Sequence, residues 1–114
     1  MVTPATGAVV LVRFPFSDLS QVKLRPTVVL ANAGRGDWVL CQVTSNPYSD
    51  VRAITLVDAS FATGSLRATS YARPGKLFTA NRNLMVAQVG SLEAKPFRRI
   101  IEAVVDVLYA RLSP

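Results

Sequence analysis

Residues 7–30 read GAVVLVRFPFSDLSQVKLRPTVVL, and this stretch decides the fold. The apolar strand Ala8 to Phe14 leads into a polar loop that ends in Lys23 and Arg25, and Pro26 then opens a second apolar strand. A guanidinium fixed where a loop joins a rigid strand is held by the scaffold and still open to solvent. Arg25 is therefore a candidate for holding a phosphate.

Further strand signals follow along the chain. Six short strands are predicted, at Ala8–Phe14, Thr27–Ala31, Asp37–Thr44, Ala53–Val57, Leu66–Ala72 and Leu84–Val89. The turn NAGRG before the third strand makes the first three strands antiparallel neighbours, and residues 45–52, 58–65 and 73–83 are interpreted as loops. This pattern favours a small, strongly curved antiparallel sheet or a partly open SH3-like barrel.

The last twenty residues change to a helical period. Apolar residues recur at helical spacing, at Phe97, Ile100, Ile101, Val104, Val105, Leu108 and Leu112. Ser91 and Pro96 are alternative markers for the start of this amphipathic helix. The chain has 114 residues and no visible linker or repeat, so the sequence predicts a single domain, residues 1–114, that is mainly β with a C-terminal helix.

The charge indicates a polyanionic partner. Thirteen Lys and Arg residues against seven Asp and Glu give a net charge of +6, and ten of the thirteen are Arg. Residues 59–92 contain no carboxylate but include Arg67, Arg73, Lys76 and Arg82. Such a field raises the local concentration of a polyanion such as RNA, although it would also serve simply to keep a basic protein soluble. The charge thus indicates a polyanionic partner but does not indicate which reaction, if any, the protein catalyses.

The absence of histidine from the sequence excludes several kinds of active site. Ser-His-Asp and Cys-His catalysis and histidine metal ligands have no residues to build them. The few carboxylates are scattered, with no cluster typical of a magnesium site, and the GRG of residues 34–36 is not followed by a helix. If the chain is an enzyme, we expect it to work without a metal ion or a nucleotide cofactor.

The lone cysteine and the hydropathy indicate the compartment. Cys41 has no partner for an internal disulfide and lies among apolar residues, so it is interpreted as a core thiol. No apolar run approaches the roughly 18 residues that cross a membrane, and the N-terminus has no secretory signal pattern. We expect a cytoplasmic protein with no membrane partner.

The segment 7–30 resembles the opening of the MazF/PemK toxin family. In that family a Gly-led strand with a Phe-Pro pair runs through a polar loop to an Arg-Pro pair and a second strand. Residues 72–92, ARPGKLFTANRNLMVAQVGSL, together with Gly64 and Leu66, resemble the family's Lys-Leu strand, the loop after it and the Gly-x-Leu before its last helix. The resemblance covers nearly the whole chain, and the Arg-Pro pair is its most specific element.

The resemblance implies a fold of the type shared with the CcdB gyrase poisons, assembled as a homodimer. It also implies a sequence-specific, metal-independent endoribonuclease that cleaves single-stranded RNA such as mRNA and is inhibited by an antitoxin. The family's active site, an Arg of the Arg-Pro pair and a Thr or Ser ending the third strand, would fall on Arg25 and Thr44. The candidate RNA-binding residues around this pair are Ser17, Asp18, Lys23, Ser45, Asn46, Lys76 and Arg82.

The chemistry of RNA cleavage agrees with this assignment in kind. Attack by the 2′-OH needs a base, stabilisation of charge on the phosphoryl oxygens, and a proton or positive group near the leaving oxygen. Arg25 serves the second need, and Thr44 donates a hydrogen bond to the same phosphate. The base is unassigned, with Asp18 a candidate by composition only. The expected antitoxin is acidic and partly disordered, folding along the basic groove.

Other interpretations stay open at this stage. A gyrase-binding toxin on the same fold and a non-catalytic RNA-binding module are the alternative functions. An Arg before a strand is often a solvated or ion-paired surface residue, and Thr44 is an ordinary strand residue by propensity. Tyr48, in a polar loop, is the best candidate for stacking on an unpaired base, whereas Trp38 is predicted to belong to the core.

Overall fold

A computed structural model describes residues 2–15 and 22–110 of the chain. The strands in these residues are β1 (Ala8–Pro15), β2 (Val22–Gly34), β3 (Asp37–Thr44), β4 (Ile54–Leu56), β5 (Phe61–Gly64), β6 (Ser70–Asn81) and β7 (Met85–Leu92). The helix α1 (Ala94–Tyr109) follows β7, and short 3-10 turns precede β5 and β7. The candidate site residues Ser17 and Asp18 lie outside the described residues.

All the strands join one antiparallel sheet in the order β4-β6-β3-β2-β1-β7-β5. Register shifts interrupt the pairing of β1 with β7, of β2 with β3, of β3 with β6 and of β5 with β7. Such bulges bend strands and increase their twist, so the sheet curls into a half-barrel. The predicted fold class, mainly β with a curved antiparallel sheet and a C-terminal helix, is confirmed.

The curled sheet has an apolar core on each face. On β2, Val28 and Leu30 belong to the core that the helix covers through Ile100 and Val104. The intervening Val29 belongs to the opposite core, which also contains Leu40 and Met85 and against which Trp38 packs. Neighbouring residues of a strand point to opposite faces, which explains why apolar residues follow one another without alternation in the runs 8–12 and 28–31.

Cys41 lies in the middle of β3 and is fully buried. Its Sγ donates to the backbone oxygen of Arg73 at a distance of 3.2 Å. Burial away from water disfavours the thiolate and raises the pKa of this thiol to about 12. The prediction of a core thiol is confirmed.

The sequence prediction was wrong in two stretches between β4 and β7. Residues 58–65 were expected to be a loop, but Phe61–Gly64 forms β5, which pairs with β7 at the edge of the sheet. The predicted strand Leu66–Ala72 begins only at Ser70, and β6 then runs to Asn81 through the expected loop 73–83. The Pro-Gly pair at 74–75, within the expected loop, lies in a bulge between the pairs that β6 makes with Cys41 and Val43.

The helix begins at Ala94 with Glu93 at its N-cap, so neither Ser91 nor Pro96 marks its start. The predicted apolar stripe is divided in the structure. Ile100 and Val104 are buried, whereas Val105 and Leu108 are exposed. The helical period therefore predicted the helix correctly, but the buried face of the helix is narrower than the apolar stripe in the sequence.

Candidate functional site

A concave pocket lies where strands β2 and β3 separate. Their recorded pairing begins at Thr27 opposite Gln42, and the residue before Thr27 is Pro26, which has no N–H to donate to a sheet. The pocket has a volume of about 300 Å³. Its lining residues are Lys23, Leu24, Arg25, Pro26, Val43, Thr44, Ser45, Leu66, Ala68 and Ser70.

The pocket brings together Arg25 and Thr44, the two residues predicted to be catalytic. The register that pairs Thr27 with Gln42 places Arg25 opposite Thr44 when it is continued by two residues. Opposed residues of antiparallel strands share a face, so both side chains contribute to one wall. Arg25 is half-buried with its Nε enclosed, and Thr44 is 8% exposed. Both side chains are thus held by the scaffold at the edge of the cavity.

A further wall comes from the segment between β5 and β6. Its bend is stabilised by Ser65, whose hydroxyl donates to Asp58 Oδ1 at 2.6 Å and accepts from the backbone N–H of Arg67 at 2.9 Å. Arg67 has a φ of 68°, in the left-handed region, which residues with a side chain rarely adopt in a strand. The bend turns Leu66, Ala68 and Ser70 towards the pocket instead of extending β6.

The loop after β3 is ordered by side chains that accept backbone hydrogen bonds. Thr44 Oγ1 accepts from the N–H of Asn46 at 3.1 Å, and Asn46 Oδ1 accepts from the N–H of Tyr48 at 2.9 Å. Since a hydroxyl that accepts one bond keeps its own proton, Thr44 retains a donor for a ligand. Asn46 does not line the pocket in the described structure, and its part is to shape the turn beside it.

Arg73 on β6 anchors the same loop. Its Nε donates to Asp50 Oδ2 at 3.2 Å, and its guanidinium carbon lies 5.1 Å from the centroid of the Tyr48 ring. The backbone N–H of Arg52 donates to the other oxygen of Asp50 at 3.0 Å. This N–H and the Arg73 guanidinium together hold the pKa of Asp50 below its usual range, so the anchor stays charged at neutral pH.

The remaining predicted site residues fall in different places. Lys23 and Ser45 line the pocket and are exposed. Lys76 is exposed in the bulge of β6 and does not line the pocket. Arg82 follows Asn81, which pairs with Asp37 at the other end of β3, roughly 23 Å from Thr44 at about 3.3 Å per residue. The structure therefore does not bring Arg82 to the pocket.

The described residues offer few acidic groups near this site. Among residues 2–15 and 22–110, no group of three or more Cys, Asp and Glu side chains is placed to hold a metal ion. The charged side chains that line the pocket in the described structure are Lys23 and Arg25, both positive. This arrangement attracts an anion such as a phosphate. In the same parts of the chain, no helix is both long enough and apolar enough to cross a membrane.

The segment that sequence reasoning missed as part of the site is 66–70. Its alternation of Leu66, Ala68 and Ser70 indicated a strand, and nothing in that pattern revealed the left-handed residue between them. Gly64 was noted only through the family resemblance, whereas Leu66 was also predicted to begin a strand. The sequence did contain one signal for a bend here, namely Ser65 two residues before Arg67 and Asp58 upstream of both. Ser and Asp side chains often accept the hydrogen bonds that shape loops.

Comparison with known proteins identifies a family model and a set of solved structures. The model described as PemK-like, MazF-like toxin of type II toxin-antitoxin system matches residues 5–108. No curated protein matches the chain by sequence.

The solved structures are similar in fold over almost the whole chain. A MazF structure from Deinococcus radiodurans shares 20% identity with a TM-score of 0.73, covering 95% of this chain and 98% of that one. A MazE-MazF structure from the same organism shares 19% identity with a TM-score of 0.75, covering 95% and 97%. An endoribonuclease in complex with its cognate antitoxin, from a mycobacterial species, shares 14% identity with a TM-score of 0.71 and covers 95% of each chain.

Proposed function

The chain belongs to the family of PemK-like, MazF-like toxins of type II toxin-antitoxin systems, and we propose that it is an endoribonuclease. Its substrate is single-stranded RNA such as mRNA, cut at a short sequence and without a metal ion. One observation carries the proposal: Arg25 and Thr44, from neighbouring strands, line the same open pocket with Lys23.

Arg25 and Thr44 supply complementary parts of phosphoryl transfer. The planar guanidinium of Arg25 binds two phosphoryl oxygens at once and stabilises the charge that grows on them in the transition state. The Thr44 hydroxyl donates a hydrogen bond to the same phosphate while its oxygen is held by the N–H of Asn46. Because both groups are fixed before the RNA binds, little reorganisation is needed at the moment of reaction.

Lys23, Ser45 and the exposed basic residues bind the rest of the RNA. Lys23 and Ser45 lie at the solvent side of the pocket, where neighbouring phosphates would pass. Lys76 lies further along β6 and is proposed to contact the RNA backbone outside the pocket. Arg82 contributes only through the long-range field, since it lies at the other end of β3.

The base that removes the 2′-hydroxyl proton is proposed to come from outside the pocket lining. Among the described lining residues there is no carboxylate and no imidazole. Asp18, between β1 and β2 in the sequence, is the candidate, and Ser17 precedes it. An active site without an imidazole is expected to turn over slowly, because general acid–base catalysis contributes about 100- to 10,000-fold in rate.

The proposed partners are an acidic antitoxin and a second copy of the chain. The related mycobacterial endoribonuclease and Deinococcus radiodurans MazF were each solved with an antitoxin. A partly disordered acidic segment that follows the basic surface and covers the pocket would exclude RNA. We propose a cytoplasmic homodimer as the active form, inhibited in this way.

The proposal is tested with purified protein and a random pool of single-stranded RNA in the presence of EDTA. Sequencing of the fragment ends should reveal cuts at one short motif. The Arg25→Ala protein, checked for an unchanged melting temperature, should leave the pool intact. RNA binding without any cuts would favour a non-catalytic RNA-binding module, and cuts by the variant at the original rate would remove Arg25 from the active site.

A further inference from the structure

We propose that Tyr48 is a stacking platform for an unpaired RNA base and that Arg73 is the positioning residue that holds it. The inference rests on the proposed function, since it adds a base-binding subsite beside the phosphate pocket. Tyr48 does not line that pocket, and the family comparison assigns it no role.

The exposure of Tyr48 provides the first argument. Tyr48 is 59% exposed as a residue, although it lies in a loop that is otherwise well anchored. The guanidinium of Arg73 lies over the ring at 5.1 Å from the centroid, so one face is covered by a cation. The exposure leaves the rest of the ring open to a ligand. An aromatic ring backed by an arginine is a favourable surface for a base, because every base has a π-face.

The backbone provides the second argument. Tyr48 and Ser49 have φ values of 53° and 56°, both in the left-handed region that residues with a side chain avoid. Hydrogen bonds from both sides hold this conformation: Asn46 accepts from the N–H of Tyr48, and the N–H of Asp50 donates to Pro47. Strain maintained by its surroundings often marks a functional site, and here it fixes the direction of the ring.

The link to β6 provides the third argument. Arg73 is tied to Asp50 by an ion pair whose side chains are only about one-fifth exposed, at 20% and 18%. The ion pair fixes the guanidinium, and the guanidinium fixes the ring. Truncating Arg73 would therefore release Tyr48 without removing it.

The position of the ring suits a base near the cleaved bond. Tyr48 follows Thr44 by four residues, so their Cα atoms are at most roughly 14 Å apart even for a fully extended chain. Tyr71, the cross-strand partner of Thr44, precedes Arg73 by two residues on the same strand. A nucleotide whose phosphate lies at Arg25 and Thr44 would thus have a neighbouring base within reach of the ring.

The test measures the affinity for two uncleavable 12-mers: a random-sequence 2′-O-methyl RNA and an abasic backbone of the same length. Tyr48→Ala should weaken binding of the RNA about 5- to 150-fold and leave binding of the abasic backbone unchanged. Tyr48→Phe should retain the wild-type affinity, since it keeps the ring. With cleavable RNA, Tyr48→Ala should raise KM and leave kcat within about threefold.

Comparing Arg73→Gln with Arg52→Gln separates the positioning of the Tyr48 ring from the general effect of losing one positive charge. Both remove one positive charge, but the side chain of Arg52 is exposed and only its backbone N–H contacts Asp50. Arg73→Gln should lower the ratio of RNA affinity to abasic affinity, and Arg52→Gln should leave that ratio unchanged. Melting temperatures of all variants establish that they fold.

Equal loss of affinity for both 12-mers in Tyr48→Ala, or no loss for either, would overturn the stacking proposal while leaving the nuclease intact. A change in self-association alone would assign Tyr48 to a protein interface and would also overturn it. Failure of the wild-type protein to bind or cut any RNA would overturn the proposed function and this inference together.

Discussion

The two ends of strand β3 are built from similar parts, but only one opens into a pocket. At the Asp37 end, Asn81 donates to Asp37 at 3.1 Å and the N–H of Arg82 donates to Gly36 at 2.9 Å, which closes the turn. At the Thr44 end, side chains also accept backbone hydrogen bonds, yet β2 and β3 have parted and a cavity of about 300 Å³ lies between them.

Both ends carry exposed cations, so positive charge does not distinguish them. Arg35 and Arg82 lie near the Asp37 end, and Lys23 lies near the Thr44 end. The difference is that the Thr44 end joins three separate segments around one concavity. A cation fixed at such a place meets a phosphate at a defined position, whereas a cation on a convex turn acts only through a field that salt screens.

The largest expected effect is on the rate of RNA cleavage, which should differ between substitutions at the two ends of β3. Arg25→Ala should lower the rate of RNA cleavage about 100- to 1,000-fold, since it removes a preorganised group that stabilises transition-state charge. Arg82→Ala removes the same charge at the other end and should change the rate by no more than about twofold, because it acts only through a field that salt screens. Cleavage rates at fixed ionic strength measure both, and similar losses would remove the distinction between the ends.

A smaller effect is expected for the Thr44 hydroxyl. Thr44→Val keeps the shape of the strand and should slow cleavage about 10- to 100-fold, because a hydrogen bond to a charged group contributes roughly 1.5–3 kcal/mol. Thr44→Ser keeps the hydroxyl and should retain most of the activity. Single-turnover kinetics compare the three proteins, and full activity of Thr44→Val would assign the residue a purely structural part.

A substitution at the Asp37 end of β3 should lower the stability of the protein and leave RNA cleavage unchanged. Asn81 accepts from the N–H of Asn83 at 3.0 Å and also donates to Asp37, so Asn81→Ala loses a cap and a strand-end contact. We expect a decrease of about 1 kcal/mol in the free energy of unfolding, with cleavage unchanged. Urea denaturation gives the first quantity. Loss of activity without loss of stability would show that this end takes part in RNA cleavage.

The smallest effect is expected for chemical labelling of Cys41, which lies between the two ends of β3. Because burial raises the pKa of its thiol to about 12, the thiolate fraction at pH 8 is on the order of one in ten thousand. A thiol reagent at pH 8 should label the protein only after denaturation. The unfolded chain loses this proton near the ordinary value of 9.0, so the stability contributed by the buried thiol falls as pH rises above it. Rapid labelling of the native protein would contradict the buried assignment.

The sequence predicted the central strands well because their signals are local. Val-rich and Leu-rich runs with turns between them gave β3 with its observed bounds. Arg25 was expected at the end of a loop, but it lies within β2, which extends further in both directions than predicted. The meeting of Arg25 with Thr44 was predicted from the family resemblance, and in the structure it follows from the register of two neighbouring strands.

The edge of the sheet could not be predicted from local signals. β5 has the sequence FATG, with too few apolar residues to indicate a strand, and it forms through its pairing with β7. Gly64 shows why tertiary packing decides this region. Its φ is +70°, and a Cβ atom there would collide with the backbone oxygen of Val89. Close approach of two backbones leaves no periodic pattern in a sequence.

The pocket is lined by residues 23–26, 43–45 and 66–70, which are distant from one another along the chain. A nascent polypeptide that has emerged only as far as β4 has Arg25 and Thr44 but lacks the last of these segments, and it also lacks the helix that covers one core. A partly translated chain of that length therefore carries both proposed catalytic residues without the complete pocket that would hold a substrate.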